Sequence, residues 1–312
     1  MTEDRTPSAV VFGSVHMDLI ATAQRLPGRG ESVVGQGFTT SPGGKAGNQA
    51  CQLVKCGTDA SILTRLGNDS FGRQLLEHLK SHGVDPSLIS VDEKEPTGAS
   101  TVFVAEGDYS SIIVSGAAGK LTAADIESRR AALEAADALV LQLELPAPIS
   151  IAAARIAKVK GRYVVLNVSP APDGLSQVPK ELLQAVSVLI VNSFEAGRLL
   201  GRAVSHAESP AAAMELAKKS GVGQVIVTAG ASGSAAVQRG EAFFQPSYFA
   251  KVVDSVGAGD AYLATFVTAQ LEGMAMQDSL KRAAAAGALA VSRPGSAAGL
   301  ITRLDIDKFL GA

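Results

Sequence analysis

Short apolar runs, rich in Val, Ile, Leu and Ala, alternate along this chain with longer segments of helical spacing. The runs lie at residues 9–15, 60–64, 138–143, 163–167, 186–191 and 224–228. Most are apolar nearly throughout, which is typical of strands covered on both faces. The clearest helical segments are residues 47–56, 71–82, 123–136, 148–159 and 211–220, and residues 258–310 are mostly helical in pattern. This alternation predicts an α/β fold, with a doubly wound, mostly parallel sheet flanked by helices.

Two further stretches break this rhythm. Residues 98–104 and 110–115 are strand-like and flank a short turn, which predicts an antiparallel pair. Residues 31–40 form another extended piece, just before a pair of glycines. We expect these strands to lie outside the main layer, as a small sheet that covers a site or meets a partner. An ordinary edge hairpin is the alternative that composition alone favours.

Charge and hydropathy exclude several classes of protein. The chain has 28 Lys and Arg against 30 Asp and Glu, so it lacks the concentrated positive field that nucleic-acid binding requires. No apolar run reaches the roughly 18 residues of a membrane span, and residues 1–8 do not resemble a signal peptide. The two cysteines, Cys51 and Cys56, have neither redox nor zinc-motif spacing. We therefore expect a cytoplasmic protein with reduced thiols.

The strongest local signal is the sequence DSVGAGD at residues 254–260, which precedes an apolar helical segment. A helix start leaves amides unpaired, and Gly257, Ala258 and Gly259 are small enough to let an anion approach them. Asp260 would repel a phosphate there. Its place makes sense if it acts as a general base that deprotonates a hydroxyl, which then attacks the phosphorus. An aspartate that merely stabilises the helix dipole fits equally well at this point.

Two other motifs suit a ligand with many hydroxyl groups. In GGKAGNQA at residues 43–50, Gly44 permits close backbone approach, Lys45 supplies a cation, and Asn48 both donates and accepts. Asp18, in GSVHMD after the first strand, is placed to accept hydrogen bonds from hydroxyls, although an aspartate in a turn is the commoner case. The chain lacks the Walker, dinucleotide-binding, nucleophile-elbow and HExxH motifs.

Together and in this order, these motifs resemble the ribokinase-like (PfkB) family of sugar and nucleoside kinases. The resemblance covers nearly the whole chain and extends to LGNDSFG at residues 66–72 and to residues 142–144, 167–172, 191–197 and 290–296. It implies a single kinase domain over residues 1–312 that uses ATP and Mg²⁺. The implied reaction transfers the γ-phosphoryl group to a primary hydroxyl of a pentose, ribose being the first candidate. A nucleoside, a ketohexose or a deoxy sugar acid is the alternative acceptor, and a non-catalytic sugar-binding regulator is the alternative class.

The resemblance also implies a role for each matching residue. Asp260 would be the base, with an anion hole formed by the amides of Gly257, Ala258 and Gly259. The sugar would be held by Asp18, Gly44, Lys45, Asn48 and Glu144, together with His16 and Asp260. The nucleotide would contact Asn192, Glu195, Thr228, Gly230, Gly233 and Gly259, with Glu195 ordering Mg²⁺ through water. A monovalent cation, usually K⁺, would be bound by Asp254 and by carbonyl groups of Val256, Ala290, Arg293 and Gly295. The strands at residues 31–40 and 98–115 match the family's lid, which implies a homodimer formed through the lid.

Among the departures from the pattern of the family, two concern the sugar and the nucleotide. His16 stands where similar members usually carry asparagine, and it is bulkier. Ala284 stands where a histidine or an asparagine often contacts the adenine. The sequence therefore leaves open the identity of the acceptor and the preference for the nucleotide.

Overall fold

The protein is described from a computed structural model that covers residues 5–105, 108–293 and 300–311. Its main sheet has nine strands: β1 (Ser8–Phe12), β4 (Asp59–Gly67), β5 (Ile89–Asp92), β8 (Ala138–Leu141), β9 (Tyr163–Asn167), β10 (Val188–Asn192), β11 (Gln224–Thr228), β12 (Ser234–Gln238) and β13 (Glu241–Gln245). Their spatial order is β13-β12-β11-β10-β9-β8-β1-β4-β5. From β5 to β11 neighbouring strands are parallel, and β12 and β13 add an antiparallel edge. The predicted fold class is confirmed.

Helices cover both faces of this sheet, as the nearly continuous apolar runs predicted. The helices are α1 (Lys45–Cys56), α2 (Ser70–Ser81), α3 (Ala123–Glu127), α4 (Arg130–Ala135), α5 (Ala147–Val159), α6 (Lys180–Ala185), α7 (Ser193–Leu200), α8 (Ser209–Ser220), α9 (Ala258–Leu271), α10 (Met276–Val291) and α11 (Arg303–Leu310). Successive strand residues such as Val11 and Phe12 enter different cores, one against α1, α2, α9 and α10 and the other against α5 to α8. Among the described residues, no helix combines the length and the hydropathy of a membrane span.

Helix α9 is buried on all sides, because its residues from Ala261 to Ala269 are all inaccessible to solvent. It lies between α1 and α10. A helix that is apolar all round belongs inside a protein rather than on its surface. Its first turn, which carries Asp260, is therefore held rigidly at the edge of the core.

A second, four-stranded sheet lies beside the main one, with strands β2 (His16–Thr22), β3 (Gly37–Gly43), β6 (Thr97–Ala105) and β7 (Asp108–Gly116) in the order β3-β2-β6-β7. Strands β6 and β7 include the predicted residues 98–104 and 110–115 and pair antiparallel. The prediction for residues 31–40 was wrong in its first half, since β3 begins at Gly37. Strand β2 was not predicted. It pairs with β3 and β6, both distant in sequence, so no local pattern specifies it.

Candidate active site

The predicted site residues gather beyond the carboxyl ends of the parallel strands. Ser14 follows β1, Glu144 follows β8, and Asn192 and Thr228 end β10 and β11. In open α/β sheets, ligands bind at this edge. The amino ends of α1 and α9 face the same region, since Asn48 and Asp260 are in contact.

Helix α9 begins with a left-handed turn at Gly257, whose φ of 80° favours glycine. Ala258 N–H donates to the carbonyl of Ser255 over a long 3.4 Å. Within the described residues, the N–H groups of Gly257 and Gly259 have no acceptor. A Cβ on Gly259 would meet no atom within 4 Å, so the surface of this first helical turn is open at Gly259. This helix start is therefore suited to receive an anion.

Asp260 lies at the edge of these amides in the first turn of α9 and is partly buried. Asn48 Nδ2 donates to its Oδ2 at 3.3 Å, and Gln49 Nε2 donates to its Oδ1 at 2.9 Å. Burial raises the pKa of the Asp260 carboxyl, and the charge of Lys45 and the two amides oppose that rise. A carboxylate with a raised pKa beside an anion pocket is suited to take a proton from a hydroxyl group.

The chain enters helix α1 through Gly44, which has a φ of 91°. A Cβ there would lie 2.7 Å from the main-chain oxygen of Ser14, so both the conformation and the packing require glycine. This close approach of the GGKAGNQA loop to the end of β1 brings Lys45 near the buried carboxyls. Burial raises the pKa of Glu144, Glu195 and Asp260, and the charge of Lys45 opposes that rise at all three.

Asp18 and His16 lie in strand β2 and not in a turn, which corrects the alternative considered for Asp18. The two side chains project from the same face of the sheet, and His16 Nε2 is 3.3 Å from Asp18 Oδ1. His16 is buried, and its Nδ1 has no partner among the described residues. The second sheet thus supplies a carboxylate backed by an imidazole.

Glu144 links the two sheets. Its carboxylate accepts a hydrogen bond from the Ser14 hydroxyl, and its main-chain oxygen accepts one from Ser115 Oγ of β7 at 3.1 Å. Burial raises the pKa of the Glu144 carboxyl, and the nearby charge of Asp260 adds to the rise. The ionised form of Glu144 is therefore destabilised, and a hydrogen bond from a hydroxyl group would stabilise it.

The residues predicted for the nucleotide lie further along the same edge. Asn192 and Glu195 cap α7 reciprocally, since each side chain bonds the other residue's N–H at 2.8 Å. Burial raises the pKa of the Glu195 carboxyl. Thr228 Oγ1 donates to the carbonyl of Val191 at 3.4 Å, and Gly230 begins the helical turn that follows. Gly233 has a φ of 101°, and a Cβ there would lie 2.2 Å from the main-chain oxygen of Gln245.

The residues predicted for a monovalent cation lie in two adjacent segments. Asp254 Oδ1 accepts the N–H of Val256 at 2.9 Å, and the main-chain oxygen of Val291 accepts the N–H groups of Val253 and Asp254. The Ala290 carbonyl accepts the N–H of Arg293 at 3.1 Å. Gly295 lies outside the described residues. Across the part of the chain that the structure describes, no three His, Cys, Asp or Glu side chains are grouped as metal ligands.

Three amide side chains that received no role from the sequence join this site. Gln49 contacts Asp260 and Asn167, and Gln142 contacts Gln49. Gln49 lies within the GGKAGNQA motif, while Gln142 and Asn167 lie at the carboxyl ends of β8 and β9. Polar residues that end buried strands, next to a ligand motif, were the signal that could have identified them.

A helix start suited to an anion has a carboxylate at its edge and lies beside carboxylates and amides suited to hydroxyl groups. This arrangement indicates a small-molecule phosphotransferase. Comparison with known proteins specifies the family. Residues 6–303 match the pfkB family of carbohydrate kinases. The chain belongs to that family and is a carbohydrate kinase.

Individual relatives agree with this assignment over nearly the full length. The chain is 30% identical to a ribokinase of Haemophilus influenzae, covering 96% of this chain and 97% of the relative. It is 34% identical to a ribokinase of Arabidopsis thaliana, covering 97% and 81%. The solved structure of the Arabidopsis thaliana ribokinase complexed with ribose and ATP matches at a TM-score of 0.87 and 33% identity, covering 99% of this chain and 100% of that one.

Proposed function

We propose that this protein is a ribokinase, which transfers the γ-phosphoryl group of ATP to a primary hydroxyl of ribose. The observation that carries the proposal is the position of Asp260 beside the unpaired amides of Gly257 and Gly259. The relatives of known structure and sequence support ribose and ATP as the substrates, since they are ribokinases and one of them was solved with both.

In this proposal, Asp260 removes the proton of the acceptor hydroxyl as its oxygen attacks the phosphorus. The amides of Gly257, Ala258 and Gly259 hold the transferred phosphoryl group, whose negative charge they stabilise without reorganising. The raised pKa of Asp260 makes the carboxylate a stronger base than an exposed aspartate.

The sugar hydroxyls bind between the two sheets in this proposal. Asp18 and Glu144 accept hydrogen bonds, while Lys45 and Asn48 donate, and Gly44 lets the sugar approach the backbone. His16 bounds the pocket behind Asp18. Paired acceptors and donors around a small space favour a polyhydroxylated ligand over an apolar one.

ATP extends along the carboxyl ends of β10 and β11, over Thr228, Gly230 and Gly233, with its terminal phosphate at Gly259. Asn192 and Glu195 would hold Mg²⁺ beside this path, where the ion would offset phosphate charge. A buried carboxyl whose pKa is raised gains from a nearby cation, so the residues present fit a Mg²⁺–ATP complex.

A monovalent cation, K⁺ in the first instance, is proposed to bind the Asp254 carboxylate and the carbonyl groups of Val256, Ala290 and Arg293. Oxygen ligands of this kind suit a hard cation. Such an ion would neutralise charge beside the anion pocket, while the residues described above carry the reaction.

The second sheet is proposed to act as a lid and to form a homodimer. By strand register, Phe38, Phe103, Ile112 and Val114 share one face, opposite the face that carries Asp18. All four side chains are exposed. An exposed apolar face on this sheet favours burial against the same face of a second copy.

The protein is also proposed to be cytoplasmic. Its two cysteines, Cys51 and Cys56, are buried and unpaired, which is consistent with that location.

An acceptor panel tests the proposal. The purified protein is assayed for ADP release with Mg²⁺–ATP and ribose, 2-deoxyribose, a nucleoside, a ketohexose or a deoxy sugar acid. We expect the highest kcat/KM with ribose, and at least a ~100-fold loss of turnover in Asp260→Asn with ribose binding retained. Faster turnover of another acceptor would overturn ribose as the substrate. Binding of sugar and ATP without any ADP release would identify a regulator instead of a kinase.

A further inference from the structure

Gln49 makes a shorter hydrogen bond to Asp260 than Asn48 does, 2.9 Å against 3.3 Å. The Gln49 side chain is completely buried. The same Nε2 also donates to Asn167 Oδ1 at 3.2 Å, and Gln49 Oε1 accepts from Gln142 Nε2 at 2.6 Å. Two donors and one acceptor are therefore satisfied, and Gln49 is held from three sides.

The direction of these bonds is fixed by the main chain. Asn167 Nδ2 donates to the carbonyl of Ile190 at 3.2 Å, so its Oδ1 is the atom that faces Gln49. Asp260 also offers only acceptors when it is ionised. The nitrogen of Gln49 must therefore point toward both groups, and its oxygen must point toward Gln142.

Gln142 holds Gln49 through its Nε2, while its own side-chain oxygen lacks a hydrogen-bond partner in the described residues. That oxygen, Oε1, is buried. Gly13 makes room for this oxygen, since a Cβ at that position would lie only 2.0 Å from it. A buried polar atom without a partner in a native protein calls for a reason, and the bond from Gln142 to Gln49 supplies one.

We infer that Gln49 is a positioning residue, held by Gln142 and Asn167, that binds Asp260 Oδ1. The acceptor hydroxyl is then received by Oδ2, which keeps a free lone-pair direction beside its longer bond from Asn48. The inference rests on the proposed role of Asp260 as the base. Gln49 itself touches neither the transferred group nor the sugar in this scheme. It acts through Asp260. Its hydrogen bond fixes the orientation of the Asp260 carboxylate and stabilises the negative charge of that group.

The electrostatic consequence can be measured. A donor to the ionised carboxylate stabilises that form, so removing it raises the pKa of Asp260. The charged groups coupled to Asp260 are Lys45 on α1, Glu144 in the loop after β8 and Glu195 on α7. A substitution at Gln49 leaves all three in place, so a change in the pH profile reports the lost hydrogen bond.

The experiment compares Gln49→Met with the wild-type enzyme over a pH series of kcat/KM for ribose, since that ratio reports ionisations of the free enzyme. We expect kcat to fall by about 10- to 100-fold, the acid limb to move up by about 0.5–1 pH unit, and the KM for ATP to stay within about twofold. Gln52→Met is the matched control. Gln52 is buried on the same helix, but it bonds the main chain of Ile301 at 2.6 and 2.9 Å instead of Asp260. We expect it to lower Tm without moving the acid limb.

If Gln49→Met does not fold, Gln142→Met removes the donor to Gln49 without touching Asp260, and we expect a smaller shift of the limb in the same direction. An unchanged acid limb in the folded variant overturns the inference, even if Tm falls. The proposed function fails separately, since it requires that Asp260→Asn lose turnover. A dead Asp260→Asn enzyme beside a normal Gln49→Met enzyme refutes only the positioning role.

Discussion

Gly43 gives a sharp test of the sugar pocket, because its missing side chain makes room for Asp18. A Cβ at position 43 would lie 2.2 Å from Asp18 Oδ2 and 2.6 Å from its Cγ. No backbone atom is that close, and the φ of Gly43 lies outside the left-handed region. In Gly43→Ala the strand can therefore stay in place while the carboxylate of Asp18 rotates away from the pocket.

The expected size follows from the hydrogen bonds that Asp18 is proposed to make. A hydrogen bond to a charged group contributes about 1.5–3 kcal/mol, and about 1.4 kcal/mol corresponds to a factor of ten. Loss of one such bond, with partial recovery through water, predicts a rise of about 10- to 100-fold in the KM for ribose. The KM for ATP should change little, because the nucleotide path does not include Asp18.

The assay is steady-state ADP release with either substrate varied, and Gly223→Ala is the control. A Cβ on Gly223 meets nothing within 4 Å, so that variant should behave like the wild type. A double-mutant cycle adds a second condition. In an Asp18→Ala background, Gly43→Ala should have almost no further effect, since both changes remove the same group. Equal losses in both backgrounds, or a matching rise in the KM for ATP, would refute the reasoning.

Two further predictions follow from the charge and the surface of the molecule. Burial raises the pKa of Asp260, so the ionised carboxylate opposes folding above that pKa. Asp260→Asn removes this charge and should therefore raise Tm by about 1–3 °C at pH 8. The gain should shrink at lower pH, because acid protonates Asp260 in the wild type. Calorimetry that finds a gain growing toward low pH would contradict this sign. Ile112→Asp should convert the proposed dimer to a monomer in light scattering, whereas Val159→Asp, at an even more exposed apolar position on α5, should not. A dimer that survives Ile112→Asp excludes that face as the contact.

The main sheet could be predicted because its signal is local. A strand buried on both faces is apolar throughout, and the predicted bounds of β9 and β11 match the structure to the residue. The first strand was extended too far, to residue 15, because Val15 is apolar and buried although the strand ends at Phe12. Strand β2 could not be predicted, since its partners β3 and β6 are remote in sequence and its register depends on both.

The same distinction separates the predicted site residues from those that were missed. The amides of Gly257 to Gly259 and the carboxylate of Asp260 lie next to each other in sequence. The unpaired amides expected at a helix start therefore indicated them. Gln49, Gln142 and Asn167 come from three elements, and their hydrogen bonds exist only because α1 lies across the ends of β8 and β9. The sequence shows that these three residues are polar, but it does not show that their side chains contact one another.

The charges of the site bear on the cations proposed for it. Glu144, Glu195 and Asp260 all have a pKa raised by burial, and Lys45 acts on all three. One ammonium group cannot balance three carboxylates and the phosphates of an incoming nucleotide. We therefore expect added positive charge to arrive with the nucleotide, or at the proposed monovalent-cation site, before the phosphoryl group approaches Asp260. The raised pKa of Asp260 and the expected need for a cation thus have a common cause, the closeness of three buried carboxyls to the anion pocket.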